Sequence, residues 1–88
     1  MREKFDQLRK QLQEQSWPSV YFFKFICPSD PKTVAKVTAL FEDQGKLNLR
    51  PSKNGNFLSV SVKEVMMSPD DVIDVYVKAA SIKGVISL

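Results

Sequence analysis

Few side chains in this chain could carry chemistry. Adjacent carboxylates stand at Glu42-Asp43 and Asp70-Asp71, a lone thiol at Cys27, and a run of cations (Lys46, Arg50, Lys53, Lys63) has no acid between its members. Adjacent residues on a helix point about 100° apart, so neither carboxylate pair converges on one site. Asp70 and Asp71 follow Ser68-Pro69, where a helix would begin and its dipole favours acids; capping accounts for them. Glu42 and Asp43 fall near a helix C-terminus, a mildly unfavourable place that would suit a partner contact. The chain has no histidine and a single cysteine. That removes the usual general base, the usual triad partner and the common zinc and iron sites. No G-x-S-x-G elbow, phosphate-binding G-x-G-x-x-G or P-loop pattern occurs. Cys27 closes an apolar run and reads as a buried core thiol. No catalytic residue, metal ligand or cofactor is expected.

The cations invite a different chemistry. Net charge is +3, and the acid-free stretch 46–63 surrounds Asn54-Gly55. A Gly-bearing basic loop can hold a phosphate, but only where a helix N-terminus follows to supply donors and dipole. Here an alternating run follows instead, NFLSVSVKEVM. Asn-Gly between two alternating runs predicts a hairpin whose turn needs positive φ. Arg50, Lys53 and Lys63 then remain as a basic rim. Lysines of this kind also discourage edge pairing, and an anionic partner is the functional alternative.

The elements that must position these residues can be read from periodicity. Residues 2–15 carry Phe5, Leu8 and Leu12 at helical spacing with polar residues between them. Pro18 bars continuation, and Trp17 beside it is expected at the core edge. The aromatic, β-branched run 19–27 is a strand. Asp30-Pro31 starts a helix over 31–44 with a Val34, Val37, Leu40, Phe41 stripe, and Gly45 is placed to end it. KLNLR and residues 57–66 form the hairpin. A second helix begins at Ser68-Pro69, carries Val72, Val75, Tyr76 and Ala79, and ends at Gly84; VISL is a last strand.

The order is thus an N-terminal amphipathic helix, over 1–16, followed by strand–helix–strand twice over 17–88. The β-α-β-β-α-β pattern predicts an α+β ferredoxin-like sandwich, one domain with a four-stranded antiparallel sheet. Right-handed crossovers place the 20–27 and 57–66 strands in the centre. Alternation puts Leu58, Val60 and Val62 toward the helices, with Leu47 and Leu49. On the first strand Tyr21, Phe23 and Phe25 share one face, and Val20, Phe22, Lys24 and Ile26 the other. Both faces are apolar there, whereas an uncovered face should be mostly polar. We therefore expect the second face to be covered, at least in part, by the N-terminal helix or by a second copy of the chain.

Two resemblances bear on this pattern. SDPKTVAKVTALFEDQGKLNL, residues 29–49, is similar to the opening of ACT domains, small regulatory ligand-binding modules; Asp30, Pro31, Val37, Gly45 and Asn48 carry the likeness, and Lys32 stands where a glycine is usual. Across nearly the whole chain, WPSVYFFKFICP, SKNGNFLSVSVKEVMMS and IKGVISL resemble the YbeD-like family of small uncharacterised bacterial proteins. That likeness implies an ACT-like fold and carries over no catalytic residue. RNA recognition motifs share the same element order and stack bases on sheet aromatics. Phe22 and Phe57, flanked by Lys24, Arg50 and Lys63, would serve, although Ser59 and Ser61 replace the further ring of that consensus.

The expected function is non-enzymatic: a regulatory or interaction module with a protein partner or small ligand at Asp30, Lys32, Arg50, Lys53 and Lys63. RNA on the Phe22, Lys24, Phe57 face is the second reading, and a homodimer the third. The charged N-terminal residues lack the apolar middle of a signal peptide, and no run is long enough to span a membrane, so the cytoplasm is expected.

Overall fold

Strand alternation decides which side of the sheet the helices take. The computed structural model describes residues 5–42 and 46–88. Its elements are α1 (Asp6–Gln13), β1 (Ser19–Pro28), α2 (Pro31–Thr38), β2 (Asn48–Pro51), β3 (Phe57–Met66), α3 (Pro69–Ala80) and β4 (Ile86–Ser87). The sheet order is β2-β3-β1-β4, with every neighbour antiparallel. The aromatic-rich β1 and the alternating β3 are central, and the architecture is the expected ferredoxin-like α+β sandwich.

One face of β1 supplies the core. Phe23, Phe25 and Cys27 are buried, and with Val60, Val62 and Met66 of β3 they form the floor on which the helices sit. Val37 of α2, Phe41, and Val72, Ile73, Tyr76 and Ala79 of α3 close the core from above. The Phe23 ring lies 5.6 Å from both Phe41 and Tyr76, and Phe25 lies 5.9 Å from Tyr76. Such pairs add to area burial by about 0.5–1.5 kcal/mol each. The Tyr21 and Tyr76 hydroxyls, 2.9 Å apart, satisfy each other at the edge of this cluster.

The helix starts follow the caps in the sequence. The Asp30 carboxylate accepts from the Thr33 amide and hydroxyl, both at 3.1 Å, and Pro31 takes the first turn. The Ser68 hydroxyl accepts from the Asp71 amide at 3.2 Å. The helix ends differ from expectation. α2 stops at Thr38, because Leu40 and Phe41 donate to Val37 and Thr38 three residues back and turn the Phe41 ring into the core. Asp43 and the proposed end at Gly45 lie outside the described residues, as do residues 2–4 of the first helix. α3 stops at Ala80, and Gly84 is a turn residue before β4 with φ +86, where a Cβ would lie 3.0 Å from Pro28. In the hairpin only Gly55 takes positive φ (+75), within a five-residue connection, 52–56. The Gly55 amide donates to the Ser52 carbonyl at 3.0 Å, and the Ser52 hydroxyl accepts from the Phe57 amide at 3.1 Å.

The expectation that the N-terminal helix covers the second face is corrected. α1 does not cross the open side of the sheet. It packs on the helix side: Leu12 is buried in the common core, the Phe5 ring lies 6.0 Å from Tyr76, and Arg9 pairs with Asp70 at the start of α3. Trp17 is half-buried at this junction, and its indole N–H donates to the Leu12 carbonyl at 2.8 Å. The physical reason is the size of the helix-side core. Two short helices leave its end open beside Tyr76, and the apolar stripe of α1 fills it.

Candidate interaction surface

The opposite face of the sheet is built by the alternate residues of the same strands. Antiparallel register places Phe22 against Lys63, Lys24 against Ser61, Ile26 against Ser59 and Val20 against Val65. β2 adds Asn48 beside Ser61 and Arg50 beside Ser59, and β4 adds Ile86 beside Ile26. Directly opposed residues share a face, so one surface collects these side chains from all four strands. Phe22 is 52% exposed and Phe57 48%, and Val20, Val65, Ile86 and Leu88 are more exposed still. Lys24, Arg50 and Lys63 stand among them, and no carboxylate of the described strands points this way. Glu64, the one strand acid, pairs with Tyr21 on the helix side.

The structure divides the sequence-predicted residues into three groups. Phe22, Lys24, Arg50 and Lys63 come together across β1, β2 and β3. Phe57 lies on the same face but six residues along β3 from the partner of Phe22, roughly 20 Å away at 3.4 Å per residue. Asp30, Lys32 and Lys53 gather at one end of the molecule, where the 28–32 loop meets the hairpin. There the Ser29 hydroxyl donates to the Gly55 carbonyl at 2.7 Å, and its amide to the Asn56 carbonyl at 3.1 Å. Asp30 is occupied by its cap, and Lys32 is an exposed residue of the first turn of α2. The loop and the hairpin that carries Lys53 therefore meet through Ser29.

Sequence reasoning missed Val65, Ile86 and Leu88, and it named Lys46 and Asn48 without bringing them to this surface. Carrying the alternation of 57–63 forward to Val65, and reading VISL in the same way, would have found the first three. Lys46 and Asn48 line an open cavity of about 340 Å³ with Phe22, Ser61 and Lys63, where β2 ends against β3. That placement depends on strand register, which local sequence does not give.

On the helix side the charge is reversed. A groove of about 370 Å³ between α3 and the end of α2 is lined by Glu42, Glu64, Asp71, Asp74 and Lys78. Among the described residues no group of three potential ligands is placed to hold a metal ion. Cys27 is buried, and loss of water around it pushes its thiol pKa up, away from a reactive thiolate. No helix of the described residues is long and apolar enough to cross a membrane.

Fold and surface together define a small α+β sandwich with one helix-covered and one uncovered sheet face. Residues 13–88 match a family described as proteins of unknown function, DUF493, and the chain belongs to that family. The YbeD-like resemblance agrees with this assignment, since YbeD-like proteins are members. The match begins at the last residue of α1, so nearly all of that helix lies before the matched segment. No curated protein and no solved structure matches the chain.

Proposed function

We propose that this protein is a non-enzymatic interaction module whose working surface is the uncovered sheet face, and that its partner is a protein presenting acidic and apolar side chains together. The observation that carries this reading is the composition of that face: Val20, Phe22, Ile26, Val65, Ile86 and Leu88 interleaved with Lys24, Arg50 and Lys63, and no opposing acid among its described residues. Contiguous apolar patches rimmed by polar groups mark docking sites. Charge of one sign steers a complementary partner and rejects a like one. A second copy fits less well. A face-to-face twofold through the middle of the sheet would set Lys24, Arg50 and Lys63 against their own counterparts.

RNA is the second reading, favoured by the uncovered face and by the strand order it shares with RNA recognition motifs. Two features weigh against it. Phe22 and Phe57, at roughly 20 Å, cannot stack neighbouring bases. The remaining apolar residues are aliphatic, which suits protein contact better than base stacking.

The test compares the wild-type chain with a Lys24→Glu, Lys63→Glu double variant as baits in host lysate, with and without nuclease. Acidic proteins retained by wild type, lost on charge reversal, released by salt and insensitive to nuclease are expected. Equal retention by both baits, or binding abolished by nuclease, overturns the protein reading.

A further inference from the structure

We infer that the cavity at the end of β2 is a binding site for a small aromatic carboxylate. This goes beyond the protein-partner reading and does not depend on it. β2 pairs with β3 only from Leu58 to Ser61, so among the described residues β3 continues past Asn48 with no strand on that side. The step leaves an open cavity of about 340 Å³, at the small end of the roughly 300–1,000 Å³ typical of ligand sites.

Its lining is chemically divided. Phe22 offers a half-exposed ring as one wall, and Phe22 is paired across the strands with Lys63. Lys46 and Lys63 bring two ammonium groups, and neither is in an ion pair with a described residue. Asn48 contributes an amide. The Ser61 hydroxyl reaches only the Asn48 carbonyl, at 3.5 Å, long for an O–H···O bond, so it is free to turn toward a ligand. Among the described residues no carboxylate lines the cavity. A flat ring against Phe22 with its carboxylate toward Lys46, Lys63 and Ser61 uses every group present. Aromatic stacking supplies the orientation, and the charge-assisted donors supply the selectivity for an anion. A metal cation or a basic ligand would meet two ammonium groups and, among the described residues, no counter-charge.

The experiment is an amide-resonance titration of the full chain with sodium benzoate at constant ionic strength. Sodium acetate and benzyl alcohol supply the anion without the ring and the ring without the anion. Benzoate is expected to give saturable shifts confined to Phe22, Lys46, Asn48 and residues 61–63, with an affinity in the millimolar range. Phe22→Ala and Lys63→Gln should each weaken it roughly two- to tenfold, the loss expected for one ring contact or one screened charge. Both residues are exposed, so their variants keep the dispersed spectrum of the folded chain. No saturable shift with benzoate, shifts centred elsewhere such as Asp30 and Lys32, an equal response to acetate, or unchanged affinity in both variants overturns the assignment.

Discussion

The two faces of the sheet are made by the same strands and differ in almost everything else. Toward the helices, Phe23, Phe25, Cys27, Val60 and Val62 are all but inaccessible to solvent. One residue along each strand, Phe22, Lys24, Ile26, Ser61 and Lys63 face the other way, with no described helix over them. The acids follow the helices: Glu42, Glu64, Asp71 and Asp74 line the groove beside α3, and the cations Lys24, Arg50 and Lys63 hold the open side. A chain of 88 residues has apolar residues enough for one core. This one places some of them where they add nothing to that core. Fold stability accounts for the first face and leaves the second unexplained, and that difference is the argument for partner binding.

The sharpest way to break the comparison is to truncate neighbouring rings on opposite faces. Phe23→Ala removes a ring enclosed by Tyr21, Phe25, Phe41 and Tyr76. It should cost about 3–5 kcal/mol in urea unfolding, close to the whole stability of a domain this size. A cost below about 1 kcal/mol would mean that the two faces are energetically alike.

The next largest effect concerns α1. Leu12→Ala should cost about 2–4 kcal/mol, because Leu12 is fully enclosed by the helix-side core. The same substitution at a helix that merely lay on the surface would cost a few tenths. A small effect would return α1 to the list of candidate covers for the open face, which makes this variant the direct check on where the helix belongs.

How this helix docks marks the limit of what the sequence made legible. The caps at Asp30 and Ser68, the two central strands and the core parity of residues 57–62 were all readable, because each is fixed by neighbours in the chain. The packing side of α1 was not. Phe5, Leu8 and Leu12 say that the helix has an apolar stripe, but either face of the sheet could receive it. The choice falls to the space left beside Tyr76, a tertiary quantity. The cavity at Lys46, Asn48 and Lys63 was hidden for the same reason. Its residues lie on two strands whose register and relative lengths no local pattern encodes. Gly84 misled in a simpler way, since a positive-φ glycine after a helix serves the next turn as readily as the helix end.

A third test probes the edge of the covered face. Burial and the hydrogen bond shared with Tyr21 push the Tyr76 phenol pKa above its ordinary value. A raised folded-state pKa means that the folded chain holds the proton more tightly than the unfolded chain. The stabilisation is complete below about pH 10, the unfolded value, and is lost as pH rises through the folded one. Stability should therefore fall on the alkaline side of pH 10, and absorbance titration should show one tyrosine ionising late. Tyr76→Phe should remove the late ionisation and cost about 1 kcal/mol near neutrality, the worth of one hydroxyl hydrogen bond. Ionisation of Tyr76 in the ordinary range would place it outside the core.

The smallest expected effect on folding is the most informative for function. Phe22→Ala removes a large ring adjacent in sequence to Phe23, yet that ring is half-exposed and contributes to no buried cluster. The cost in stability should stay within about 0.5 kcal/mol. If the open face is a working surface, the same substitution should weaken both the acidic-partner contact and benzoate at the β2 cavity, because Phe22 belongs to both. A variant that folds like wild type and binds neither separates function from fold at a single residue. One that unfolds readily would show instead that Phe22 is needed for the fold, and the open face would then be the outer half of a thin core with no partner required to explain its apolar residues.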